Sequence, residues 1–268
     1  MSSKIVENIV WVILGILYLL TFRYEDSVVF LDVGQGDATL IQKGNVQMLV
    51  DGGPDDSVLY QLQKYMPMYD RRIEYVLLTH PHDDHLMGLL RVLERYEVGE
   101  ILYYPVCYEN ENYEYLLQSY GNTRKVGAGD TIRLEDIEVK ILWPVLKRDA
   151  VGCVKQFDGN LNNDSLVIQF EYMNKRFLLM GDIESNVETL LLTQQIVSSK
   201  YDILKAGHHC SKSSSSETFI NIVSPSVAVC SVAKENSFGH PSSETLNIFS
   251  KYNVQYLLTY KEGNIQIK

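Results

Sequence analysis

From residue 27 onward, short apolar runs alternate with segments of helical period, the pattern of sheets covered by helices. Residues 28–32 (VVFLD), 39–42 and 47–50 (QMLV) read as three strands, and Gly34-Gln35-Gly36 and Gly44-Asn45 supply the reversals between them. After Asp51-Gly52-Gly53-Pro54 the pattern predicts a helix over 57–65 and a buried strand over 73–78 (IEYVLL) that stops at Thr79-His80. A helix over 86–96, a strand over 100–104 and a helix over 112–120 follow. The order then restarts, with two strand patterns within 131–143 and a hairpin from 165–171 and 175–180. A helix over 183–195, strands over 201–205 and 227–232, a helix near 243–252, and strands over 256–260 and 264–267 complete it. Two halves, each strand-rich and then helical, predict an α/β fold, an αββα sandwich with its site at the strand ends. The one low-complexity run is Ser213 to Ser216.

The beginning of the chain breaks this pattern. Residues 9–22 (IVWVILGILYLLTF) are uncharged, carry an aromatic near each end, and lie between Lys4 and Arg23. Fourteen residues of helix reach only ~21 Å against a hydrocarbon core of roughly 30 Å, so residues 5–8 have to contribute to a span. Apolar side chains lie all round this helix, unlike the single stripe of an amphipathic core helix. A removed signal peptide would need small residues at a cleavage site, and Arg23-Tyr24-Glu25-Asp26 offers none, so a retained membrane anchor is the expectation. Lys4 and Arg23 nearly balance and barely orient it. Residues 1–26 are therefore expected to be anchor and linker, and residues 27–268 one folded domain.

A net charge of −10 works against a broad, non-specific grip on nucleic acid, because that grip comes from Lys and Arg neutralising many phosphates. Cys107, Cys153, Cys210 and Cys230 contain no Cys-x-x-Cys pair, which indicates neither a thiolate zinc knuckle nor a small disulfide scaffold; they read as ordinary buried residues.

The six histidines lie in three short turns: His80, His82 and His85; His208 and His209; and His240. In Thr79-His80-Pro81-His82-Asp83-Asp84-His85-Leu86 a strand stops and a helix starts, so imidazoles and a carboxylate converge at one backbone corner. Neutral imidazole nitrogen and carboxylate oxygen suit Zn²⁺, Mn²⁺ or Fe²⁺, and the run can split between two ions, His80 with His82 and Asp84 with His85. The rival reading is a plain surface histidine cluster.

This run is similar to the H-x-H-x-D-H signature of the metallo-β-lactamase superfamily, and more narrowly the chain resembles the extracytoplasmic hydrolase domain of ComEC-like competence proteins. The resemblance covers nearly everything after Ser27. It is carried by Asp32-Val33-Gly34-Gln35-Gly36-Asp37-Ala38, Leu49-Val50-Asp51-Gly52-Gly53, the histidine run, Asn162-Asn163-Asp164-Ser165-Leu166-Val167, Met180-Gly181-Asp182, Leu204-Lys205-Ala206-Gly207-His208-His209-Cys210-Ser211 and Phe238-Gly239-His240-Pro241. It implies a metallo-β-lactamase αββα sandwich after a short N-terminal membrane-anchor helix, and two divalent metal ions, zinc or manganese. By resemblance the metal ligands are His80, His82, Asp84, His85, Asp164, Asp182 and His208. Asp182 is the bridging carboxylate, and His208 is favoured over His209 as the late ligand. Asp51 resembles the acid that orients a ligand imidazole.

Where many members have a further histidine this sequence has Asn163, Asp164 and Ser165, so Asp164 or Asn163 would supply oxygen and tilt preference towards Mn²⁺. Cys210 stands where glycine is common. Asp84, Asp182 and His240 are the expected catalytic residues, and Asp37, Lys205, His209 and Ser213 the expected substrate contacts. Lys205 also reads as a solvated strand-end residue. The implied function is a membrane-tethered phosphodiesterase or nuclease acting on DNA, with a single N-terminal span, an extracytoplasmic catalytic domain and a DNA-uptake channel as partner. The alternatives are a phosphodiesterase on a small or cell-surface ester such as phosphocholine, and a non-catalytic membrane partner of such a channel.

Overall fold

The computed structural model describes residues 3–21, 25–67, 69–146 and 152–268. Helix α1 (Ser3–Thr21) comes first, with Trp11 and Val12 among its exposed apolar side chains. No helix among the described residues is long and apolar enough to cross a membrane. Phe22 and Arg23, the end of the expected anchor, lie outside the described residues.

In the first half β1 (Ser27–Phe30), β2 (Thr39–Lys43) and β3 (Val46–Val50) run antiparallel, and β4 (Arg72–Leu78), β5 (Glu97–Tyr103) and β6 (Thr123–Lys125) continue the sheet in parallel. Helices α2 (Ser57–Leu62), α3 (Asp83–Leu93) and α4 (Glu111–Ser119) connect the parallel strands. The second half repeats the plan. β7 (Thr131–Leu134), β8 (Ile137–Trp143), β9 (Val167–Tyr172) and β10 (Lys175–Leu179) are antiparallel, then β11 (Ile203–Lys205), β12 (Val227–Cys230) and β13 (Gln255–Leu258) are parallel. Helices α5 (Ser185–Thr193), α6 (Glu217–Val223) and α7 (Ser243–Lys251) connect these. After the short α8 (Thr259–Glu262), β14 (Ile265–Ile267) returns to pair with β1 at the edge of the first sheet. Among the described residues each sheet has seven strands.

The sheets face each other across Phe30, Ile41, Leu77 and Leu102 on one side and Val139, Ile168, Phe170 and Phe177 on the other. Leu62, Leu86, Leu89 and Leu116 cover the outer face of the first sheet, and Val187, Leu191, Phe219, Ile220 and Phe249 that of the second. The result is the αββα sandwich that the alternation predicts. Both faces of the central strands are covered, which is why they read as continuous apolar runs instead of alternating ones.

Besides β6, for which the pattern has no counterpart, three local details differ from the sequence pattern. The α6 helix grows directly out of the serine run, because the Ser216 hydroxyl caps it by accepting from the Phe219 N–H. The expected strand over 256–260 ends at Leu258, where α8 begins. The cysteines are paired: Cys107 with Cys153 and Cys210 with Cys230. Partners 46 and 20 residues apart leave no local spacing to read, so only the fold brings them within reach.

One close approach fixes the site. Gly88 of α3 donates its N–H to the Gly53 carbonyl at 2.9 Å, and Gly52 donates to His85 O at 2.8 Å. A Cβ on Gly88 would lie 1.8 Å from the Gly52 oxygen, so helix and turn meet backbone to backbone.

Candidate metal centre

The candidate ligands sit at the C-terminal ends of strands in both sheets. Beyond β4 come His80 and His82, and α3 begins with His82 at its N-cap position, so Asp84 and His85 occupy the first turn. A carboxylate there is favoured by the helix dipole. Beyond β10 the chain turns through Gly181, and the Asp182 N–H donates to Ser165 Oγ at 3.0 Å. After β11, His208, His209 and Cys210 follow with φ of 47°, 52° and 62°, three consecutive left-handed residues without a glycine. Such residues cost of order 1–3 kcal/mol each and persist where the surroundings over-determine them. Here the Cys210–Cys230 bridge and the bond from His209 Nδ1 to the Ser231 carbonyl at 2.9 Å clamp the turn onto the end of β12.

These ends converge. Ligand atoms of Asp84, His85, Asp182 and His209 all lie within 4.8 Å of one another. Asp182 Oδ2 is 3.4 Å from His85 Nε2, 3.4 Å from His209 Nε2 and 3.9 Å from His80 Nε2. His80 Nε2 and His82 Nδ1 are 2.9 Å apart. Asp51, itself left-handed at φ 59°, accepts from Thr79 N at 2.8 Å, from Thr79 Oγ1 at 2.7 Å and from His85 Nδ1 at 2.8 Å. Those bonds turn His85 Nε2 towards Asp182.

Electrostatics follow from burial and these carboxylates. Burial works against charge on His85 and His209, but Asp182 outweighs it, with Asp51 and Asp84 beside His85 and Asp37 beside His209, and both imidazoles are held well above their usual range. Burial would raise Asp182, yet His209 and His85 hold it well below the ordinary carboxylate value. Burial, then the charge of His85, pushes His80 well down, and burial lowers His82. His240 is lowered to about 4 by burial and by His208 and His209.

The remaining sequence candidates are placed as follows. His208 stays 25% exposed, with Nδ1 3.4 Å from Glu184 Oε1 and Nε2 3.4 Å from the Asn162 amide nitrogen, whereas its neighbour His209 enters the cluster. The left-handed turn decides this, because it directs the second imidazole of the pair inward. Asp164 is not brought to the cluster: its oxygens accept from the Phe157 N–H at 3.1 and 3.2 Å. Asn163 ties its own loop together, donating to Asp158 at 2.8 Å and accepting from Glu184 N at 2.9 Å.

Lys205 is not a solvated residue. It is 2% exposed and paired with Asp37 Oδ2 at 2.7 Å. Asp37, also 3.3 Å from His209 Nδ1, is pushed up by burial but pulled down further by Lys205 and His209, to about 2. These two thus support His209 from behind. Ser213 donates to Glu184 at 3.0 Å, and the His240 ring lies 5.4 Å from that of His208 and 6.5 Å from that of His209. Residues without a sequence assignment that hold the site are Thr79, Ser165, Ser231 and the Cys210–Cys230 pair. The cysteines had one signal, their even number in a chain expected to lie outside the cytoplasm.

The donor set fits a divalent cation. Two carboxylates and two imidazoles converge, and buried Asp182 Oδ1 and His85 Nε2 have no hydrogen-bond partner. Buried polar atoms are rarely left so. Imidazole and carboxylate together suit Zn²⁺, Mn²⁺ or Fe²⁺. A sequence model of the metallo-beta-lactamase superfamily matches residues 31–234, a span that contains all four of these ligands. The chain belongs to this superfamily.

Its metallo-β-lactamase neighbours among solved structures share the fold at low identity. They include YhfI from Bacillus subtilis (TM-score 0.58, 12% identity, covering 91% of this chain and 100% of that one). They also include Tm1679, described as a metal-dependent hydrolase of the β-lactamase superfamily (TM-score 0.57, 14% identity, 90% and 98%). Curated relatives include proteins named for competence. ComE operon protein 3 of Bacillus subtilis is 27% identical over 91% of this chain and 33% of its own length. Competence protein ComA of Neisseria gonorrhoeae is 25% identical over 90% of this chain and 32% of its own. The chain thus spans about a third of the length of the curated relatives it matches. It is a metallo-β-lactamase-fold protein with a candidate metal centre and with similarity to part of these longer proteins.

Proposed function

We propose that this protein is a metal-dependent hydrolase, a phosphodiesterase that cleaves DNA, held at a membrane by its N-terminal apolar helix with the catalytic domain on the extracytoplasmic side. The single observation that carries the reading is the convergence of Asp84, His85, Asp182 and His209 within 4.8 Å, beside His80 and His82. Asp84, His85, Asp182 and His209, with His80 and His82 beside them, would hold two divalent ions, Zn²⁺ or Mn²⁺, which would supply Lewis acidity and the means to activate water near neutral pH.

The chain's own residues do the positioning. Asp51 holds the His85 Nδ1 proton and Ser231 O the His209 Nδ1 proton, so both Nε2 atoms face the carboxylates. His240, uncharged at neutral pH, carries a ring N–H at the edge of the cluster that can donate a hydrogen bond to negative charge developing there, without transferring its proton. The resemblance to competence proteins supports DNA as the substrate and a DNA-uptake channel as the partner. Two disulfides, using all four cysteines, support an oxidising compartment.

A second reading has its own support: the net charge of −10 favours a small phosphodiester over a polymer whose grip depends on cationic side chains. The test uses the purified chain with Mn²⁺ or Zn²⁺. Single-stranded DNA is expected to be degraded, and Asp182→Ala to stop it. Brisk cleavage of a chromogenic phosphodiester with DNA left intact selects the second reading, and failure to cleave either ester overturns both.

A further inference from the structure

Phe238 is 67% exposed, an unusual position for phenylalanine, and its loop holds it there firmly. The Asn236 side chain ties that loop from inside. Its amide nitrogen donates to Ala233 O at 3.2 Å and to His240 O at 2.6 Å, and its oxygen accepts from Phe238 N at 3.1 Å and His240 N at 3.0 Å. The ring is therefore displayed by a preorganised loop.

The ring's orientation is informative. Phe238 stacks on His240 with centroids 5.9 Å apart and planes 18° apart, and His240 in turn lies 6.5 Å and 29° from His209. Three rings form a ladder from solvent to the metal centre, in the offset geometry that flat π systems prefer. We propose that Phe238 is a stacking platform for a base of single-stranded nucleic acid, positioning the adjacent phosphodiester at the cluster. This rests on the phosphodiesterase reading and names its substrate class. A chain of net charge −10 gains little from tracking a phosphate backbone, so contact with the base itself, which stacking supplies and which tolerates any sequence, has to contribute more of the affinity.

The experiment is an equilibrium titration of the full chain with a labelled thymidine hexamer and with its abasic counterpart, in EDTA so that nothing is cleaved. The thymidine hexamer is expected to bind about tenfold more tightly. Phe238→Ala should erase that difference, and Phe238→Trp should restore it. Equal affinity for the two hexamers, no measurable binding of either, or a preference that survives Phe238→Ala overturns the proposal. So does displacement of the hexamer by a choline phosphate ester at lower concentration than by thymidine monophosphate, which would assign the face to a quaternary ammonium. Since the titration needs no turnover, its failure is separable from failure of the hydrolysis assay.

Discussion

Asp182 turns one carboxylate oxygen towards three imidazoles and leaves the other without a hydrogen-bond partner, so its charge holds the centre together. Asp182→Asn is expected to abolish tight metal binding. Asp51→Asn, which removes the charge from the group that accepts from His85 Nδ1 and from Thr79, should weaken binding about 10- to 100-fold. His209→Ala should remove metal where His208→Ala leaves the stoichiometry intact. Metal analysis after gel filtration measures each case, and loss of metal in His208→Ala but not His209→Ala would reverse the assignment.

Acidity gives a second check at this scale. His85 and His209 are held above their usual pKa in the metal-free chain, so a cation has to displace their protons, and affinity should rise steadily with pH. A competition titration showing affinity flat from pH 5 to about pH 8 would contradict this. Much of the centre was legible in residue spacing, since His80, His82, Asp84 and His85 crowd into one turn. The choice between His208 and His209 was not, because it depends on three left-handed backbone angles that no residue type announces. Asp164 looked like a ligand for its chemistry, and only the placement of Phe157 N–H shows where its oxygens are used.

At the scale of elements, the loop carrying Asp164 has a pH signature of its own. Burial raises Asp164 from 3.8 to about 6, so the folded state keeps a proton that the unfolded chain releases first. Stability therefore falls as pH rises through that window, by at most about 3 kcal/mol. Asp164→Asn keeps an acceptor for Phe157 and should raise the melting temperature at pH 7 while changing little near pH 4; an equal shift at both pH values would contradict this. The Cys210–Cys230 bridge spans 20 residues, and Cys230→Ala should cost about 3 kcal/mol and weaken metal binding, because the His209 turn loses its clamp. An unchanged denaturation midpoint would sink this. Most strands and helices were legible because two covered sheet faces demand long apolar runs. The exceptions were short or locally disguised: α6 opens behind four serines, and β6 (TRK) has no apolar residue at all.

For the whole molecule, the metal belongs to stability as well as to chemistry. The ligands come from both sheets, and without a cation the carboxylates of Asp84 and Asp182 are held across the seam only by the charged imidazoles of His85 and His209. Saturating Mn²⁺ or Zn²⁺ should raise the melting temperature by several degrees, and EDTA should reverse it. Identical curves with and without metal would show that the seam does not depend on it. The αββα architecture itself could be read from the repeated order of strands and helices; its closure by β14 onto β1, a pairing across the full length of the domain, could not.

The clamp on the His209 turn has a consequence for the cell that makes this chain. The DNA-cutting activity proposed above would endanger the host while the chain is still beside the chromosome. Before oxidation, Cys210 and Cys230 are free thiols, and the strained backbone that aims His209 has no covalent restraint. Newly made chain should then hold metal weakly until the two sulfurs are joined, and with the proposed extracytoplasmic placement that delay would spare the host genome during synthesis.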